Sequence, residues 1–214
     1  MSRAISTASN PTSAGLLIGS SRPPRSFGSK LLDLKRPPNR YQRDFHAFLT
    51  ECVWTRDEAR AGLVRQFPNH PYLKDICDAL IERDLLLIEK SRRVLASWVV
   101  CAFDIWICAG GVDTRWVNSE GQKVLTLSQR NRKVLVAALK QEGEQSSEWF
   151  LHERIKAILE ESEARGLREK WPEFPNWEAV SDKISFVETN CYIAAVPEGP
   201  DKLRGAGTTF VHAE

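Results

Sequence analysis

The fold prediction starts from residues 85–98, LLLIEKSRRVLASW. The apolar run at 85–89 is typical of a strand that is buried on both faces. The basic turn 90–93 follows, and Ser97–Ala109 has the composition of a buried helix that stops at Gly110-Gly111. A tight loop between a buried strand and a helix directs backbone N–H groups and the positive end of the helix dipole at one place. This geometry binds phosphate, so the junction is a candidate anion site.

The same patterns predict the elements on either side of this junction. Upstream, helices are expected over 41–53, 56–66 and 72–83, with a break at Pro68-Asn69-His70-Pro71. Downstream, short strands are expected at 123–128, 184–187, 192–196 and 208–211, and helices at 130–139 and 149–167. Strands that alternate with helices favour a parallel sheet covered on both faces.

Length and composition limit the class of protein. The chain has 214 residues, 42% of them hydrophobic and 27% charged, which is ordinary for a globular α/β domain. Residues 1–43 carry eight Lys/Arg against one Asp, a charge of +7, which leaves −5 for the rest of the chain and +2 overall. These numbers exclude a collagen, a disulfide-dense mini-protein and a membrane channel, and they predict a flexible basic leader over residues 1–40.

Cysteine usage and hydropathy predict an intracellular compartment. The five cysteines are an odd number without a C-x-x-C pair, which is typical of reduced, packed thiols and not of a disulfide framework or a zinc ribbon. No secretory signal follows Met1, and the most apolar run, Trp98–Ala109, is too short to span a bilayer and contains Asp104. We therefore expect no membrane partner.

The loop matches the phosphate-binding pattern G-x-x-x-x-G-K-[ST] only in part. In the frame 90–97 the last position fits, because Ser97 offers a hydroxyl for Mg²⁺, but Leu95 and Ala96 replace the glycine and the lysine. Lys90, Arg92 and Arg93 supply the missing charge earlier in the loop. From this segment alone, a basic turn ahead of a core helix is the alternative interpretation.

The chain's last strand supplies a second candidate group. Residues 208–214, TTFVHAE, form an apolar strand pattern that ends in Glu214. A metal–phosphate site needs an acid at the carboxyl end of a strand beside the phosphate loop, where it holds Mg²⁺. The alternative is a solvated terminal acid.

Two segments resemble one family. Residues 87–98, with Lys90, Arg92 and Ser97, look like the variant Walker A motif of bacteriophage terminase large subunits. Residues 195–205, AVPEGPDKLRG, followed by an apolar strand and an acid, look like the segment that leads into their Walker B motif. The resemblance covers about residues 68–214. It implies an α/β P-loop NTPase fold of the RecA and helicase type, here an incomplete domain at 68–214 preceded by a helical lead-in at 41–67.

The resemblance also implies roles for individual residues. Lys90 matches the displaced phosphate-binding base, with Ser91 and Arg93 beside it in the loop, and Arg92 matches the arginine that stabilises transition-state charge. Ser97 corresponds to the hydroxyl on Mg²⁺.

Two positions outside the loop complete the implied ATP site. Glu214 falls at the Walker B acid that holds the metal. A shift of one residue instead makes Glu214 the catalytic acid, with Ala213 in the metal position, where it has no ligand atom. Tyr72, or His70 beside it, would contact adenine; the alternative is a helix-entry residue.

The implied function is the ATP-driven motor of viral genome packaging. The resemblance implies a hydrolase that moves double-stranded DNA into a procapsid in the host cytoplasm, working as a homo-oligomeric ring with a portal and a small terminase subunit. Because no acid follows Glu214 and no nuclease domain is present, we expect a fragment in which hydrolysis is impaired. The alternatives are another helicase-like P-loop ATPase, or an inactive remnant that binds nucleic acid or protein.

Overall fold

The computed structural model describes residues 38–56, 63–83, 85–88, 95–112, 130–138, 146–196 and 208–213, all within one compact unit. The remaining predictions for 1–37, 57–62, 89–94, 113–129, 139–145, 197–207 and 214 lie outside the described residues. They include the strand expected at 123–128 and most of the predicted leader.

The first helical region is divided in two by a capping residue. Helix α1 (Arg40–Arg43) begins after Asn39, whose side chain accepts from the Gln42 backbone in a capping box. Asp44 then ends α1 and caps α2 (Phe45–Cys52) by accepting from the backbone N–H of Ala47. The helix predicted over 41–53 is therefore confirmed in the described structure, with one interruption and a start at Arg40.

The helix predicted over 56–66 is wrong at its two described ends, because Arg56 and Val64–Gln66 belong to strands. The strands β1 (Trp54–Arg56) and β2 (Val64–Gln66) pair antiparallel there. The predicted break at 68–71 and the helix after it are confirmed, since α3 runs over Pro71–Glu82 with proline in its first turn.

Helix α4 (Ala96–Cys108) is the buried helix that the sequence predicts. Eleven of its thirteen residues are buried, including Asp104, and the chain leaves it through Gly110 at φ +100. On α4 the Phe103 and Trp106 rings pack against Phe45 of α2. The helix is thereby the centre of the core.

The sheet has five strands in the order β4 (Trp177–Val180), β5 (Lys183–Phe186), β6 (Cys191–Val196), β3 (Lys133–Ala137), β7 (Phe210–Ala213). Strand β3 is parallel to both of its neighbours, whereas β4, β5 and β6 form an antiparallel meander. The fold is therefore mixed α/β. The prediction of a parallel sheet is correct for three of the five strands, β6, β3 and β7. The strands predicted near 184, 192 and 208 are confirmed, and β4 was not predicted.

Strand β3 corrects the helix predicted over 130–139. Its middle residues Val134, Leu135 and Val136 are buried between β6 and β7. A strand buried on both faces has a continuous apolar run, and a run of this length does not distinguish such a strand from a buried helix.

Residues 85–88 are not the buried strand that the sequence predicts. Leu85 and Leu87 are 90% and 93% exposed, while Leu86 and Ile88 are half-buried. In the described part of the chain the sheet ends at β7, and no ladder joins 85–88 to it. The side chains of Leu85 and Leu87 in this segment are therefore exposed to solvent.

The helix predicted over 149–167 is confirmed in most of its length. It consists of α5 (Ser147–Trp149), a π-helical segment (Phe150–Lys156) and α6 (Ala157–Glu163), and α7 (Leu167–Lys170) follows after a turn. Four apolar residues that recur at helical spacing in this region are all buried, Phe150, Ile155, Ile158 and Leu159. The five cysteines are also buried thiols, as expected.

Gly111 occupies a place where no side chain fits. A Cβ at this position would lie 2.3 Å from the Trp106 ring, which is itself 1% exposed. We expect Gly111→Ala to lower the free energy of unfolding by about 2–3 kcal/mol in chemical denaturation, because a buried ring must move.

Gly166→Ala is the matched control for this prediction. Gly166 has φ +86, but a Cβ there would meet only the flexible Glu169 side chain. Its expected cost is about 1 kcal/mol of backbone strain. Equal costs for the two variants would contradict the assigned contact with Trp106.

Candidate functional site

A cavity of about 480 Å³ lies between residues 85–88, the first turn of α4 and strand β7. Its polar lining groups belong to Arg83, Ser97, Thr208, Thr209 and His212, and the rest of the wall is largely apolar. A cavity of this volume has room for a small molecule. The cavity is therefore the candidate site.

The chain enters α4 through a sharp turn. Leu95, immediately before the helix, has φ 58 and ψ 3, a left-handed conformation that costs a residue with a Cβ about 1–2 kcal/mol. Glycine adopts this conformation readily, and position 95 is where the phosphate-binding pattern has a glycine. The turn brings Ser97, in the first turn of α4, to the cavity wall in a half-buried position.

Strand β7 forms the opposite wall and is fixed in register by β3. Residues 134–137 of β3 pair in parallel with Phe210–Ala213 of β7. One residue earlier, the Thr209 backbone N–H donates to the Lys133 carbonyl at 2.9 Å. Ala213, the last described residue of β7, lines the same cavity as Ser97.

A buried pair connects the two walls. His212 Nδ1 on β7 lies 2.9 Å from Asp104 Oδ2 on α4, and the side chains are 3% and 0% exposed. The negative charge of Asp104 is among the causes that hold the pKa of Cys108 well above its usual value, after burial and the hydrogen bond with Cys191. Sequence reasoning missed the pair, although an aspartate within the most apolar run of the chain requires a partner.

Arg154 joins the π-helical segment to the start of α4. Its guanidinium lies 4.8 Å from the centre of the Trp98 ring, 5.2 Å from Trp149 and 5.3 Å from Phe150. Three aromatic faces around one cation stabilise it by cation–π attraction. Because Trp98 follows Ser97 directly, this cluster helps to fix the first turn of α4.

Among the predicted site residues, Ser97 lines the same cavity as Ala213, the last described residue before Glu214. Lys90, Ser91, Arg92, Arg93 and Glu214 lie outside the described residues. The predictions for these five positions remain predictions.

Tyr72 lies at a distance from the cavity. It is exposed at the start of α3, where its ring stacks on His70 with centroids 5.5 Å apart. Along the helix it is about 12 Å from Leu80, which lines the cavity. The described residues do not test its predicted contact with adenine, which stays a prediction.

No group of three or more His, Cys, Asp or Glu in the described ranges could hold a metal ion.

Within the described helices, no segment is both long and apolar enough to cross a membrane. Comparison with known proteins finds no family model that matches the chain and no curated protein with significant similarity to it.

Proposed function

We propose that this chain is the ATPase motor portion of a terminase large subunit, with a P-loop NTPase fold, and that it binds ATP and Mg²⁺ in the cavity between α4 and β7. The observation that supports this most is the left-handed turn at Leu95, which leads into a helix N-terminus at a cavity whose other wall is β7. A helix N-terminus attracts phosphate through its backbone N–H groups and its dipole.

The proposed roles follow from the chemistry of each side chain. Lys90, with Ser91 and Arg93, binds the phosphates, while Arg92 neutralises charge that develops on the γ-phosphate. Ser97 and Glu214 would hold Mg²⁺, which would neutralise phosphate charge when bound.

The proposed cellular role is packaging of double-stranded DNA in the cytoplasm of a bacterial host. The proposed partners are the DNA, a portal, a small terminase subunit and further copies of the motor arranged in a ring. This role rests on the resemblance at residues 87–98 and 195–205.

Equilibrium binding tests the nucleotide site directly. We expect a non-hydrolysable ATP analogue with Mg²⁺ to stabilise the protein against heat, by about 2.7 kcal/mol at a hundredfold excess over Kd. Lys90→Ala and Arg92→Ala should each raise Kd about tenfold or more, because each removes a charged contact to phosphate. Chelation of Mg²⁺ should also weaken binding.

The control variant for this test is Arg130→Ala, because Arg130 is exposed on the turn before β3 and does not line the cavity. Its Kd should equal that of the unaltered protein. Equal Kd values for Lys90→Ala, Arg92→Ala and Arg130→Ala would overturn the proposal that residues 90–93 bind phosphate. Complete absence of stabilisation by nucleotide would favour the non-enzymatic alternative.

A further inference from the structure

The pair of Asp104 and His212 connects the two elements that form opposite walls of the cavity. Asp104 lies on α4, seven residues after Ser97, so two helical turns or about 10 Å separate these residues along one face of the helix. His212 lies on β7, two residues before Glu214.

Apolar packing alone does not fix this arrangement. The other ring contact between α4 and β7 joins Phe103 and Phe210, edge to face with centroids 5.4 Å apart. Apolar contacts are non-directional, so they allow a strand to shift against a helix. A hydrogen bond between two buried polar side chains has a narrow range of geometry and penalises such a shift.

His212 also contacts a third element. The imidazole lies 6.3 Å from the Phe150 ring of the π-helical segment, measured between ring centres. The Phe150 ring in turn lies beneath the Arg154 guanidinium. The imidazole is therefore enclosed from two sides, and Asp104 gives it a single orientation.

A buried polar pair is not needed for stability, because apolar residues of similar volume often stabilise a core equally well. Polar pairs within a core instead specify one arrangement among several. We infer that Asp104 and His212 are positioning residues that set β7 against α4, so that the two walls of the cavity, with Ser97 on one of them, keep the separation that a nucleotide requires. This inference rests on the proposed nucleotide site.

The test compares two substitutions of His212 with a remote control. In His212→Asn the amide keeps an N–H near the position of Nδ1, whereas His212→Leu has none. Ile184→Ala, on β5, empties a fully buried site that does not line the cavity. Each variant is measured well below its own unfolding temperature.

Two readouts are needed. The first is the Kd for the non-hydrolysable ATP analogue with Mg²⁺, which we expect to rise about tenfold or more in His212→Leu and to stay within a few-fold of the unaltered protein in His212→Asn and Ile184→Ala. The second is amide hydrogen exchange, which should become faster over 210–213 in His212→Leu than in Ile184→Ala. Asp104→Leu, which also removes one partner of the pair, replaces His212→Leu if the latter does not fold, with the same expected directions.

The readouts separate this inference from the proposed function. Binding by the unaltered protein with equal Kd values for the Leu and Asn variants would overturn the positioning role alone. Failure of the unaltered protein to bind nucleotide would overturn the proposed function. In that case unchanged exchange over 210–213 would also overturn the role of the pair in setting β7 against α4, and faster exchange would support it.

Discussion

Substitution of His212 by leucine is expected to lower the free energy of unfolding by about 3–5 kcal/mol. The Asp104 carboxylate is 0% exposed and would lose the imidazole that lies 2.9 Å from it. A carboxylate within an apolar core is strongly disfavoured without an oppositely charged or hydrogen-bonding partner. Chemical denaturation of the two proteins at neutral pH measures the difference.

The double variant Asp104→Leu with His212→Leu is the matched control for this result. Removal of both polar groups leaves neither side chain without a partner, and apolar pairs of similar volume are often as stable as a buried polar pair. We therefore expect the double variant to recover most of the lost free energy. If the double variant instead loses as much free energy of unfolding as the two single variants together, Asp104 and His212 do not interact as described.

Substitution of Trp106 by alanine is expected to cost a similar amount, about 3–5 kcal/mol. The indole is 1% exposed, packs against Phe45 and Phe103, and donates from Nε1 to the Tyr41 carbonyl at 2.6 Å. It thereby joins α4 to α1 and α2. Loss of the ring leaves a large cavity at the centre of the core.

Trp106→Phe separates the ring contacts from the hydrogen bond. Phenylalanine keeps an aromatic ring in the core but cannot donate to the Tyr41 carbonyl, so the expected loss is about 1–3 kcal/mol. Thermal unfolding followed by circular dichroism would rank the three proteins. A Phe variant as unstable as the Ala variant would mean that the hydrogen bond outweighs the packing.

Local sequence patterns predicted four of the six expected helices correctly, those at 41–53, 72–83, 97–109 and 149–167, because the signals of these helices are local. Proline in the first turn defines α3, and an almost wholly apolar run ending in two glycines defines α4. The stripe of Phe150, Ile155, Ile158 and Leu159 repeats at helical spacing and is buried as the pattern requires.

The errors occur where long-range pairing decides the structure. Residues 133–137 and 85–88 both present short apolar runs, yet the first lies between two strands and the second has no strand beside it in the described part of the chain. A sequence pattern does not reveal which apolar run finds strand neighbours. The antiparallel pairing of β1 and β2 was missed for the same reason.

The candidate site divides in the same way. The position of Ser97 at a helix start and of β7 as the chain's last strand could be predicted, since both depend on local patterns. The contact between Asp104 and His212 joins residues 108 positions apart, and no local pattern predicts it.

A crystal structure with Mg²⁺ and a non-hydrolysable ATP analogue would show where the nucleotide binds. We expect β- and γ-phosphates at the N-terminus of α4, within hydrogen-bonding distance of backbone N–H groups of the residues that precede it. We also expect a metal ion about 2.1 Å from Ser97 Oγ. A nucleotide bound elsewhere, such as on the His70–Tyr72 stack, with the cavity between α4 and β7 empty, would overturn the proposed nucleotide site.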